Sequence, residues 1–157
     1  MRLIDWVKLK CAVPEGIFQK ILSVNGNVLL DSEHMQLFGE SLYYIEKHIE
    51  KENLSYVPEK INVFFVRDFN LNFEEVSEVN DNKMFGMWVN MIIYPMDRIQ
   101  KLKDKRLKMF IFTEELVHCI WNTMDETKVK EKVVEILRDT EYKIRWEDVI
   151  KWGLNLK

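Results

Sequence analysis

The chain is poor in the residues that usually announce a mechanism. Only two cysteines, Cys11 and Cys119, occur in 157 residues, and they form no Cys-x-x-Cys. That excludes a cysteine-built zinc knuckle and gives no sign of a disulfide framework. No apolar run approaches the length of a membrane span, and the opening residues Met-Arg-Leu-Ile-Asp-Trp hold no apolar signal core. A cytoplasmic protein with no membrane partner is the expectation. The net charge of −3 is spread, with lysines dispersed along helix faces and no basic stripe, so no nucleic-acid partner is expected. A glycine-rich phosphate loop, a Gly-x-Ser-x-Gly elbow, internal repeats and low-complexity linkers are all missing; this removes the commonest nucleotide-binding and serine-hydrolase readings.

What the chain does have is apolar content, 47% hydrophobic and 12% aromatic. That suffices for one domain over residues 1–157 to bury a core without staples.

Residues 3 to 13 are β-prone and end at Pro14, where proline suits the first turn of a short helix to about Leu22. Asn25-Gly26 is a turn signal between two apolar stretches. Asp31 or Ser32 caps a helix whose apolar positions, Met35, Phe38, Leu42, Ile45 and Ile49, step by three and four. Ile61 to Val66 reads as a strand, and Met87 to Tyr94 as a second strand with one uncovered face. Between them lies an acidic loop with Asp68, Glu74, Glu75, Glu78 and Asp81. A basic helical start, Arg98 to Lys108, runs on into an apolar helix, and another helix covers about Asp125 to Arg138 with Val129, Val133, Ile136 and Leu137 inward. The tail, with Trp146 and Trp152, ends in a helix stopped by Gly153. The expected class is α+β: an N-terminal helix, a small mixed sheet with an edge strand, then two or three C-terminal helices.

The stretch Thr113-Glu114-Glu115-Leu116-Val117-His118 places two carboxylates and an imidazole in the middle of an apolar helix. At 100° per residue, Leu107, Phe110, Ile111, Glu114, His118 and Trp121 share one stripe, so Glu114 and His118 point the same way one turn apart. Charged groups in a buried stripe are paired, hydrogen-bonded or metal-bound.

This order of helix, strand, acidic loop, strand and Glu-x-x-His helix resembles the minimal zincin metallopeptidases of phage and prophage type, over roughly residues 33 to 138. In that family the helix carries His-Glu-x-x-His, two histidines hold zinc, and the glutamate is the general base on a metal-bound water. The resemblance implies that Glu115 is the base and His118 a metal ligand. Glu114 stands where the family has its first histidine, and this is the departure. Asp125-Glu126-Thr127-Lys128-Val129 is similar to the Asp-Glu pair that often follows the motif, which makes Glu126 the implied third ligand. A Glu114, His118, Glu126 site would leave zinc with less net charge and let harder divalent cations compete.

Two functional readings follow. One is a metal-dependent peptidase with zinc or another divalent ion. The other is a catalytically inactive zincin-like or α+β binding protein of phage or mobile-element type, with no metal and a protein or peptide partner. Neither reading specifies an oligomeric state. Each site residue also has a structural reading. Glu114 and His118 can be a hydrogen-bonded core pair, and Thr123-x-x-Glu126 fits a capping box. Cys119 reads as a small core residue. His48, near a helix C-terminus, is accounted for by the helix dipole. Glu115-x-x-His118 also fits the helical pair of di-iron carboxylate bundles, but no second Glu-x-x-His exists.

Overall fold

The computed structural model describes Leu9 and residues 12–55, 57–67 and 90–154. The acidic loop and most of the β-prone start lie outside the described residues. Among the described residues the elements are, in order, α1 (Ile17–Ile21), β1 (Leu22–Gly26), α2 (Ser32–Glu52), β2 (Ile61–Val66), β3 (Asn90–Pro95), α3 (Met96–Ile99), α4 (Lys105–Ile120), α5 (Glu126–Leu137) and α6 (Trp146–Lys151).

The three strands form one sheet in the order β1-β2-β3, and both pairings are parallel. The expectation of a mixed sheet is therefore corrected. The reason lies in the connections: α2 carries the chain from the end of β1 back to the start of β2, and a crossover of that kind makes its two strands parallel. Asn25-Gly26 is not a turn, for both residues belong to β1, where Gly26 pairs with Phe65.

Asp31 caps α2 by accepting a hydrogen bond from the His34 backbone N–H at 2.9 Å, and Asn53 ends it in the left-handed conformation at φ 55°. Phe38, Leu42, Ile45 and Ile49 are buried as the periodicity requires, and so are Val129, Val133, Ile136 and Leu137 on α5. Phe38, Phe65, Tyr94 and Phe112, one each from α2, β2, β3 and α4, meet with ring centroids 5.0–6.3 Å apart. Tyr94 donates its hydroxyl to the Phe112 carbonyl at 2.7 Å, tying β3 to α4. This cluster fixes how α4 lies over the sheet.

Two further expectations change. The helix anticipated across Arg98–Lys108 is broken, because α3 stops at Ile99 and Asp104 caps a new helix through the N–H groups of Arg106 and Leu107. The stripe on α4 is also displaced. Its buried residues are Lys108, Met109, Phe110, Phe112, Thr113, Leu116, Val117 and Ile120, whereas Leu107, Ile111, Glu114, His118 and Trp121 lie at the half-buried border. The helix packs on α2, α5 and β3 at once, so apolar residues occur nearly all round it and periodicity does not orient it. No described helix is long and apolar enough to cross a membrane.

Candidate functional site

A cleft of about 350 Å³ opens where the start of β3 meets the second half of α4. Asn90, Met91 and Ile92 form its strand wall, Glu115, His118 and Cys119 its helix wall, and the turn Asn122–Met124 its end, with Glu126 at the rim. The turn exists because α4 stops at Trp121 and Asn122 takes a left-handed conformation at φ 47°. That reversal brings the Thr123 carbonyl over the last turn of α4, 2.8 Å from His118 Nδ1.

A carbonyl oxygen only accepts, so Nδ1 carries the hydrogen and donates it. Nε2 lies 3.5 Å from Glu126 Oε1, and in the neutral imidazole it keeps its lone pair. Glu126 is free to stand there because the capping box anticipated from Thr123 does not form. Asp125 caps α5 instead, accepting from the Thr127 and Lys128 N–H groups, and Thr123 Oγ1 accepts from the Asp125 N–H. Fixing one imidazole nitrogen on a backbone carbonyl while the other faces a carboxylate is the usual support of a metal-ligating histidine.

Glu115 is half-buried in the cleft wall. Burial pushes its carboxyl above the usual range, opposed by His118 and assisted by Glu126. Glu114 does not line the cleft. Burial pushes its carboxyl up to about 7, against the pull of Lys130 and with help from Glu115 and Glu126. Lys130 Nζ lies 4.0 Å from Glu114 Oε1 and 3.2 Å from Glu126 Oε2. The ligand atoms of Glu114, His118 and Glu126 do not all come within 4.8 Å of one another. The structure thus brings together His118 and Glu126, with Glu115 beside them, and pairs Glu114 with a lysine. Cys119 lines the cleft, and burial raises its thiol to about 11, with Glu115 adding to the shift; it is not an activated nucleophile.

Among the described residues, one set of three has ligand atoms within 4.8 Å of each other and can hold a metal ion: His48, Glu52 and Glu135. His48 and Glu52 are four apart on α2, so two of the three are a one-turn pair that spacing alone shows. Glu135 is 87 residues from His48, and no local pattern announces it.

No family model, curated protein or solved structure matches the chain.

Proposed function

We propose that the chain is a zincin-like metalloprotein of hydrolase type that works in the cleft beside β3, with His118 and Glu126 as a metal-binding pair and Glu115 as the general base. The orientation of His118 carries this reading. With Nδ1–H committed to Thr123, the Nε2 lone pair and a Glu126 oxygen face each other at 3.5 Å. Two acceptors so placed call for a proton or a cation between them. Ligand bonds of about 2.0–2.1 Å at a tetrahedral angle separate two donors by about 3.4 Å, so the pair fits a zinc-sized ion. Glu114 does not fit as a third ligand, since its carboxylate faces Lys130.

A divalent ion supplies Lewis acidity that polarises a carbonyl. The protein's own groups supply the rest. Glu115, with its proton affinity raised by burial, would take a proton from the water whose oxygen bonds the carbonyl carbon and pass it to the amine that leaves as the C–N bond breaks. Thr123 holds the imidazole in register, and Met91 and Ile92 of β3 form an apolar wall. A peptide is the substrate class that suits this wall, because an extended backbone can lie beside a strand.

The decisive measurement is the metal content of untagged protein, compared with His118→Ala. The variant should lose one equivalent, while Glu115→Gln should keep the metal and lose hydrolysis of a mixed peptide library. Equal metal content in wild type and His118→Ala, after both are incubated with excess zinc, overturns the proposal.

A second reading rests on Lys130. Its ammonium already supplies positive charge to Glu114 and Glu126, which favours a catalytically inactive protein that docks a protein partner through the cleft and its exposed rim residue Met124. In that case His118→Ala lowers stability alone and Glu115→Gln is nearly neutral. Activity lost with Glu115→Gln in a folded protein excludes this second reading.

A further inference from the structure

Away from the cleft, the last turn of α2 meets the end of α4 and the final turns of α5. His48, almost fully buried, sets its Nε2 3.1 Å from Glu135 Oε1 and 3.3 Å from Glu52 Oε1. These separations match the roughly 3.4 Å between donors sharing a tetrahedral ion. The second Glu52 oxygen accepts from the Trp121 indole N–H at 2.9 Å, which fixes the direction of the first. Such outer support is characteristic of ligating carboxylates. A positive group is already present: Lys132 Nζ lies 2.5 Å from Glu52 Oε1 and 2.7 Å from Glu135 Oε2.

We propose that His48, Glu52 and Glu135 form a divalent-cation site in which a metal displaces Lys132 and replaces the hydrogen that His48 Nε2 directs at the two carboxylates, that proton leaving to solvent. One imidazole with two carboxylates suits borderline ions such as zinc and cobalt(II), and is a poor match for copper(I). Lys132 is about one-fifth exposed on a flexible stem, so it can swing into water. Two partly exposed ion pairs hold it by no more than about thirtyfold, which three converging donors exceed. The bound ion would tie α2 to α5 across their long separation in the chain, a structural metal independent of the cleft.

Zinc chloride titrated into untagged, chelator-stripped protein tests this. Apart from the equivalent proposed for the cleft, we expect one to bind with a change in tryptophan emission, because the Trp121 ring centroid is 6.2 Å from that of His48. Trp121→Phe should still take up the ion, more weakly for want of the indole N–H on Glu52, and lose most of the emission change. Glu135→Gln, at a partly exposed position, should weaken binding at least tenfold. Lys132→Met should tighten it by up to about thirtyfold. His48→Ala should abolish it, and His118→Ala should leave it intact. A hundredfold excess of zinc over Kd should raise Tm by about 5–10 °C. If His48→Ala does not fold, the opposite shifts of Glu135→Gln and Lys132→Met decide the matter. Wild-type protein that binds no zinc, or zinc binding that is indifferent to both Glu135→Gln and Lys132→Met, overturns the proposal. So does zinc binding lost only with His118→Ala, which would place the ion in the cleft.

Discussion

Replacing Glu114 by glutamine tests whether this carboxylate is a burden that the fold carries or a ligand that it uses. The side chain is only 15% exposed, and its nearest cation, Lys130, stands 4.0 Å away. Burial is the largest influence on it and raises its pKa from 4.5 to about 7. That difference corresponds to about 3 kcal/mol. The folded chain binds this proton more tightly than the unfolded chain does. Below about pH 4.5 the group is protonated in both states and costs nothing. Between about pH 4.5 and 7 the unfolded chain ionises first, so stability falls as pH rises. Above about pH 7 both states are ionised and the full cost is present.

Glutamine is nearly isosteric and neutral at every pH. Glu114→Gln should therefore stabilise the protein by about 3 kcal/mol at pH 8 and about 2 kcal/mol at pH 6, with no gain below pH 4. For a domain of this size the pH 8 value corresponds to a Tm rise of roughly 6–12 °C. Lys130 keeps Glu126 at 3.2 Å as a partner, so the variant does not strand its charge. Urea unfolding at several pH values, in chelator, measures the difference. A variant no more stable than wild type at pH 8 would refute the reasoning, since Lys130 would then already offset the burial of the carboxylate. A loss of stability seen only with added metal would mark Glu114 as a ligand after all.

Two other substitutions probe the packing of the core. Tyr94→Phe removes the hydroxyl bonded to the Phe112 carbonyl at 2.7 Å while keeping the ring in its aromatic cluster. It should cost about 1–2 kcal/mol and lower Tm by roughly 3–6 °C in a thermal melt; an unchanged Tm would mean that the helix alone satisfies that carbonyl. Gly39→Ala would place a methyl carbon 2.1 Å from the Ala12 carbonyl oxygen. The backbone there must move, so urea unfolding should show a loss of about 1–3 kcal/mol, where an exposed helical glycine would gain about 1 kcal/mol from the same change.

The elements that were legible in the sequence are those with one wet face. α2 and α5 show an apolar stripe against charged residues, and β2 shows β-branched and aromatic residues with alternate positions buried. α4 was legible as a helix but not in its orientation, because helices on two sides and a strand on a third bury more than one stripe. The parallel sheet was hidden by Asn25-Gly26, a dipeptide that favours a hairpin turn yet here lies within β1. The site was half legible. Spacing placed Glu114 and His118 together, but the orientation of His118 depends on the Thr123 carbonyl, which a left-handed Asn122 delivers beyond the helix end. Glu126 looked like a cap because threonine stood three residues before it. Asp125 is nearer the helix start, and its side chain takes the two free N–H groups.

Lys130 and Lys132 relate the two candidate sites. They are two residues apart on α5, about 200° around the helix, so they serve opposite flanks of the buried Val129 and Val133. Each answers two carboxylates from different elements: Lys130 faces Glu114 and Glu126, of which only Glu126 is beside His118, and Lys132 faces Glu52 and Glu135, both of which are beside His48. Removing either lysine leaves its two carboxylates in want of a cation. The fit differs between the flanks. Lys132 approaches both of its carboxylates within 2.7 Å, while Lys130 stands 3.2 and 4.0 Å from its pair. The tighter lysine is the harder to displace, but it sits among three donors already spaced for one ion. The looser lysine yields more readily to a metal that would find only two. Donor number therefore favours metal at His48, and ease of displacement favours the cleft. Because those two influences act on separate flanks of one helix, substitutions on either side report on that side alone.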